Sequence, residues 1–216
     1  MLGSTHSRSG TTAWAMLTAA APLVGIHPRW PAIAAGTLAC AGAALLPDID
    51  HPEATPAQTF GPVSEAVARV VHKVSGGHRH ATHSLLFAAA MYLGAWLGVV
   101  LGGAWFAIPA LFVLAAFGIR AMRLAPNISV LAAGALVGVF WYVLDGDYGW
   151  LPVAVGVGAL MHLVGDCLTK EGCPLLWPRR RHFMLPVIQR TGNRVEQWIF
   201  GPLFALGTIA LFVFAR

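Results

Sequence analysis

From Ser84 to Ile119 the chain runs 36 residues without a single Asp, Glu, Lys or Arg. A helix or strand at a water-facing surface carries polar residues on its outer side, and this run has too few to supply one. A bilayer core about 30 Å thick takes roughly 20 residues of helix. The run therefore holds two spans, broken near Gly102-Gly103. Composition agrees, since 57% hydrophobic and only 11% charged residues lie outside the usual range of soluble domains. Further apolar segments are Thr11–Ile26, Trp30–Leu46, Ser129–Leu144, Trp150–Val164 and Trp198–Ala215. Several are short for a full span, so some are expected to be bundle helices shielded from lipid. The expected architecture is all-α, a polytopic membrane helical bundle of about 5–7 apolar helices. It is read as one domain over residues 1–216.

Charge then orients the bundle. With seven helices and the N-terminus on side A, the loops Pro47–His83, Arg120–Asn127 and Asp166–Arg194 share that side. Of the 14 Lys and Arg residues, only Arg29 and Arg216 fall on the opposite side. Lys/Arg-rich loops stay in the cytoplasm, so side A is expected to be cytoplasmic and the protein integral to the cytoplasmic membrane. Topology accounts for the net charge of +5, and no nucleic-acid partner is expected. Arg8, an apolar run and Ala19-Ala20-Ala21 have the outline of a cleavable signal peptide. The apolar Leu23-Val24 continues past that point, and His6 has a use if the segment stays, so a retained first helix is expected.

Three polar islands interrupt the apolar sequence: Leu46-Pro47-Asp48-Ile49-Asp50-His51-Pro52, Gly77-His78-Arg79-His80-Ala81-Thr82-His83-Ser84, and His162-Leu163-Val164-Gly165-Asp166. They hold three of the nine acids and five of the nine histidines, and the charge-derived layout puts all three on side A. Such groups at the ends of membrane helices are costly without a partner, and a metal ion is the partner that suits a His/Asp mixture. His162 and Asp166, four apart, share one helix face; a buried His–Asp hydrogen bond is the plain alternative. Read as an extended turn, Asp48 and Asp50 point the same way and His51 the other. The pair can bind a cation, or one aspartate can bind while the other serves as base. Ordinary turn chemistry is the alternative there. His78, His80 and His83 crowd six residues, with Thr82 as the expected N-cap of the next helix. The donor set is rich in nitrogen and oxygen and poor in thiol, which suits Zn²⁺, with Mn²⁺ and Fe²⁺ as alternatives and room for more than one ion. The three cysteines are odd in number and contain no CxxC, so no disulfide framework is expected. Cys167 and Cys173 flank the third island and could ligate a soft metal, although packing is the commoner use of cysteine.

Outside the islands, Val63, Val67, Val70 and Val71 recur at helical spacing opposite Glu65, Arg69 and Lys73. This predicts an amphipathic helix, either on the cytoplasmic membrane surface or packed as a cap over the bundle, with Ser75-Gly76-Gly77 as its stop. The segment Pro174–His182 reads as an irregular basic loop near the headgroups.

The islands carry a family resemblance. Leu45-Leu46-Pro47-Asp48-Ile49-Asp50-His51-Pro52, Gly77-His78-Arg79 with Thr82-His83-Ser84-Leu85-Leu86, and His162 with Asp166-Cys167-Leu168-Thr169 resemble the YdjM family of membrane-bound metal-dependent hydrolases. The match continues through Gly172-Cys173-Pro174-Leu175-Leu176-Trp177-Pro178, more weakly at Gly192-Asn193 and Glu196, and includes His6. It departs at His80, where the family pattern has glycine. The order of ligands is also similar, more distantly, to that of zinc-dependent phospholipase C and its single-strand nuclease relatives. The resemblance implies a hydrolase that cleaves a phosphoester of a lipid or other membrane-proximal substrate with metal-activated water. His6, Asp48, Asp50, His51, His78, His83, His162 and Asp166 are then the metal ligands. Asp50 is the favoured base, with Asp48 beside it in the catalytic set. Arg79, with Arg179 as a second candidate, would steady the phosphate. The partners implied are membrane lipids, with a lipid or phosphoester as substrate. The competing reading is a non-catalytic membrane protein that binds or transports metal. An intramembrane metalloprotease is disfavoured, since Leu163 follows His162 where H-E-x-x-H requires Glu.

Overall fold

The computed structural model describes residues 1–214, and the regular structure among them is helical apart from two isolated bridges in one loop. Among the described residues there are nine α-helices: α1 (Gly3–Ala20), α2 (Trp30–Ala43), α3 (Thr55–Thr59), α4 (Pro62–Ser75), α5 (Leu85–Gly102), α6 (Ala104–Ala121), α7 (Ser129–Leu144), α8 (Leu151–Cys167) and α9 (Gly201–Phe214). Four stretches are long and apolar enough to cross a membrane: Trp30–Asp50, Leu85–Gly102, Ala104–Ala121 and Glu196–Val213. Helices α7 and α8 are apolar but shorter. The uncharged run divides at Gly103, as its length requires.

Helix α2 is the hub, because its sequence is almost all small residues. Ala35, Ala39, Cys40, Ala41 and Ala43 are fully buried, and neighbouring backbones come within contact of it. A Cβ on Gly42 would stand 1.9 Å from the Leu114 carbonyl oxygen of α6. One on Gly158 of α8 would stand 2.6 Å from the Cys40 carbonyl oxygen, and one on Gly10 of α1 2.7 Å from the same atom. Small residues permit this approach, which is how helices associate where lipid removes the hydrophobic drive. The outer helices α5 and α9 are mostly exposed and present Leu93, Leu97, Leu203, Leu206 and Ile209 outward.

Helix α1 starts eight residues before the apolar segment read from the sequence at Thr11. Its first half is polar, yet Thr5, His6, Ser7, Ser9, Thr11 and Thr12 are buried. The hydroxyls of Ser9, Thr11 and Thr12 donate to carbonyls of the preceding turn, which satisfies them inside the bundle and hides the helix from a hydropathy reading.

Helix α4 forms as expected and stops at Gly76, whose φ of +86° suits a residue without Cβ. Its packed face is Ser64, Ala68 and Ser75, while Val63, Val67 and Val70 of the expected row are exposed and Val71 is half-buried. The valine row is therefore not what packs α4 onto the protein. Thr82 does not cap α5 either. Ser84 does, its Oγ accepting from the Phe87 amide at 3.2 Å.

Candidate metal centre

Four chain segments meet at one end of the bundle. Pro47 opens a 3₁₀ turn, Leu46–Asp50, at the end of α2. The 3₁₀ turn Ala81–His83 precedes α5, and the C-terminal turns of α8 and the N-terminal turns of α1 complete the group. The 3₁₀ geometry replaces the extended turn expected at Asp48-Ile49-Asp50. At three residues per turn, side chains two apart diverge by about 120°, so the aspartates go to different neighbours.

His83 Nε2 and His162 Nε2 lie 3.3 Å apart. Asp166 Oδ2 is 3.5 Å from the first and 3.6 Å from the second. Asp48 Oδ1 is 3.5 Å from both. His6 stacks on His162 with centroids 3.8 Å apart, its Nε2 3.3 Å from Asp166 Oδ1. Met1 N is 2.9 Å from the same oxygen. Three overlapping triads have ligand atoms mutually within 4.8 Å: His6/Asp48/His162, Asp48/His78/His83 and His83/His162/Asp166. Six of the sequence-derived ligand residues thus converge.

Asp50 and His51 belong to none of these triads among the described residues. Asp50 is fully buried and uses both oxygens, one accepting from His78 Nδ1 at 2.8 Å and the other from the Thr82 hydroxyl. His51 packs edge-on against His78, and its Nδ1 accepts from the Glu53 amide at 3.2 Å. His80 Nδ1 bonds the His78 carbonyl at 3.0 Å. The two thiols of Cys167 and Cys173 lie 3.1 Å apart and face each other, and they too stand outside the triads.

The hydrogen bonds fix which nitrogens keep a lone pair. The Ala44 carbonyl can only accept, so His162 Nδ1 donates to it at 2.8 Å, and in the neutral ring Nε2 is the nitrogen that keeps the lone pair. The one proton of the Thr82 hydroxyl goes to Asp50, so Thr82 Oγ1 accepts from His83 Nδ1 at 3.1 Å. His83 Nε2 is then bare as well. Burial pushes the His83 imidazole below its ordinary pKa despite the nearby carboxylates, which keeps it neutral. Outer groups of this kind orient the ligands of metal sites. Ala44 and Thr82 were invisible as such in the sequence, because a carbonyl has no side-chain signature and Thr82 read as a cap.

A cleft of about 460 Å³ opens beside the cluster, lined in part by Asp48, His51, His78, Arg79, Asp166 and Glu171. Arg79 adopts φ +60° and reaches Asp166 Oδ2 at 3.3 Å, Glu171 at 3.2 Å and the Gly172 carbonyl at 3.0 Å. Its buried Nε has no hydrogen-bond partner among the described residues, and neither has His6 Nδ1. Arg179 does not line this cleft.

Glu196 at the start of the final span anchors the chain near the cluster. Fully buried, it accepts from the amides of Leu2 and Gly192, and so ties α9 and the 168–195 loop to the segment bearing His6. Within that loop Pro174–His182 is irregular, as expected, and it is bracketed by bridges at Thr169–Ile188 and Cys173–Phe183.

Comparison with known proteins agrees with the islands. The family model for the YdjM inner membrane protein matches residues 1–216. The chain belongs to the YdjM family. The inner membrane protein YdjM of Escherichia coli (strain K12) is 32% identical over 184 residues, 85% of this chain and 68% of that protein. The Shigella flexneri YdjM matches to the same degree. The Bacillus subtilis (strain 168) protein YvsG is 27% identical over 205 residues, covering 94% of this chain and 89% of the relative. No solved structure matches. This YdjM-family chain is thus an inner membrane protein with a buried His/Asp cluster of metal-binding composition.

Proposed function

We propose that this YdjM-family protein is a metal-dependent hydrolase that cleaves a phosphoester of a lipid or other membrane-proximal substrate at the cytoplasmic face. The observation that carries the reading is the triangle of His83 Nε2, His162 Nε2 and Asp166 Oδ2, with edges of 3.3, 3.5 and 3.6 Å. Ligands about 2.0–2.2 Å from a tetrahedral zinc ion lie roughly 3.3–3.6 Å from one another. An octahedral ion at about 2.1 Å would bring neighbours to roughly 3.0 Å. The spacing favours Zn²⁺ over Mn²⁺ or Fe²⁺. With both imidazoles neutral, all three atoms are acceptors, mutually repulsive without a cation or a proton between them. His6, Asp48 and His78 extend the set enough for a second ion.

When bound, a divalent cation supplies Lewis acidity and makes water a nucleophile at neutral pH. The protein's own groups do the rest. Asp48 is the partly exposed carboxylate of the set, at 18%, and borders the cleft, so it is placed to accept a proton. Asp50, with both oxygens engaged, holds His78 and Thr82 in position instead. Arg79 neutralises Asp166 and borders the cleft, where its guanidinium fork would take a phosphate oxygen in place of Glu171. Its second carboxylate partner, Glu171, is 77% exposed and free to swing aside.

Elemental analysis of the detergent-purified protein tests the reading, beside a His83→Ala/His162→Ala variant. One or more zinc per chain, lost in the variant together with phosphate release from lipid phosphates, is the expected result. No metal after incubation with Zn²⁺ and Mn²⁺ would sink it. A non-catalytic metal-binding role draws support from the near-complete burial of His83, His162 and Asp166. Transport is less well served, because the ligands gather at one end of the bundle. Metal flux into liposomes would reverse that preference.

A further inference from the structure

A second cleft, of about 770 Å³, lies at the same end of the bundle. Leu2, Gly3 and Thr55 line both this cleft and the one beside the metal cluster, so the two flank the beginning of α1. Three arginines border it from two places in the chain: Arg8 in α1, and Arg120 in the last turn of α6 with Arg123 in the loop that follows at once. Arg8 turns its guanidinium toward the start of α9, where a Cβ on Gly201 would stand 3.1 Å from Nη1.

None of the three pairs with a carboxylate among the described residues, whereas Arg69 and Arg79 both do. The acid that lines the cleft, Glu196, has both oxygens committed to the amides of Leu2 and Gly192. Arg8 and Arg120 are half-buried. Guanidinium groups drawn partly out of water at a membrane boundary carry a desolvation cost that an anion offsets. The planar fork of arginine matches the oxygens of a phosphate, two at a time. Isolated basic residues at helix ends reach outward to headgroups singly; these three surround one concavity.

We propose that this cleft is an anion site for a phosphate group, carried by the headgroup of an anionic phospholipid or by free phosphate. The proposal does not rest on the hydrolase reading, since it needs neither the metal cluster nor turnover. Metal content measured on the same preparations keeps the two separable.

The full-length protein in detergent is titrated by calorimetry with short-chain phosphatidylglycerol, with the zwitterionic phosphatidylcholine, and with inorganic phosphate. Phosphatidylglycerol binding that phosphate cannot displace supports a lipid headgroup as the ligand; phosphate binding by itself supports the free anion. In either case Arg8→Gln/Arg120→Gln is expected to weaken binding about thirty-fold, and the exposed Arg123→Gln about fivefold. Arg181→Gln, outside the cleft, is expected to change nothing, and all variants should keep wild-type metal content. A wild-type protein that binds neither phosphate nor the anionic lipid in preference to the zwitterionic one overturns the proposal. So does an unchanged affinity in Arg123→Gln and in a double variant that keeps the wild-type melting temperature. Should the double variant fail to fold, Arg123→Gln and the wild-type titrations decide.

Discussion

Asp50→Asn isolates the hydrogen bonds behind the His/Asp cluster from the proposed ligands themselves. The Asp50 carboxylate accepts from His78 Nδ1 at 2.8 Å and from the Thr82 hydroxyl. An amide of the same shape has one acceptor and one donor group, so one of these two partners meets an N–H in place of an oxygen. If it is Thr82, the hydroxyl proton must turn to His83 Nδ1, and the imidazole proton moves to Nε2, where it blocks the lone pair aimed into the His83/His162/Asp166 triad. If it is His78, the same exchange shifts its proton to Nε2. Loss of outer hydrogen bonds of this kind weakens metal affinity about 10–100-fold, or about 1.4–2.7 kcal/mol. That is similar to the cost of about 1–3 kcal/mol for an unsatisfied buried polar group. Competition with a chelator of known zinc affinity measures it on wild-type and variant protein. The expected result is unchanged metal stoichiometry with affinity reduced by that factor. Affinity within about threefold of wild type would refute the role assigned to Asp50. Complete loss of metal would make Asp50 a ligand and refute the triad set.

Other substitutions test the packing and the chemistry. Gly42→Ala places a methyl group 1.9 Å from the Leu114 carbonyl and is expected to destabilise the bundle by about 1–3 kcal/mol or more, read as a lower melting temperature in detergent. Glu196→Ala removes the acceptor of two backbone amides and is expected to cost about 1–3 kcal/mol for each group left unpaired in the interior; Glu196→Gln should recover part of the loss. Arg79→Lys keeps the charge but lacks Nε and the fork, so hydrolysis of a lipid phosphate should fall at least about tenfold while metal content holds. Chelation is expected to abolish that activity and zinc to restore it, as measured by phosphate release.

The spans were legible because hydropathy is a local property. The break near Gly102-Gly103, the exact extent of α7 and the stop of α4 at Gly76 all followed from the length, charge and turn preferences of contiguous residues. The start of α1 was not legible, because its buried polar half is satisfied by backbone carbonyls and by neighbouring helices. His162 and Asp166 were matched from spacing alone, since both ride one helix face. Residues from separate islands could be nominated by chemistry but not arranged.

Sequence by itself thus determined a membrane bundle, its island residues and their nitrogen-and-oxygen donor character, all of which depend on residue type and near neighbours. Tertiary structure decided which of those residues share a point in space. It turned Asp48 toward His83 and His162 and Asp50 toward His78 and Thr82, through a 3₁₀ turn set by the end of α2. It also brought Arg8 to the same cleft as Arg120 and Arg123, more than a hundred residues further along the chain. The physical reason is the close packing of α1, α6 and α8 on the small residues of α2, which fixes the relative heights of the helix ends and hence the side chains that meet there.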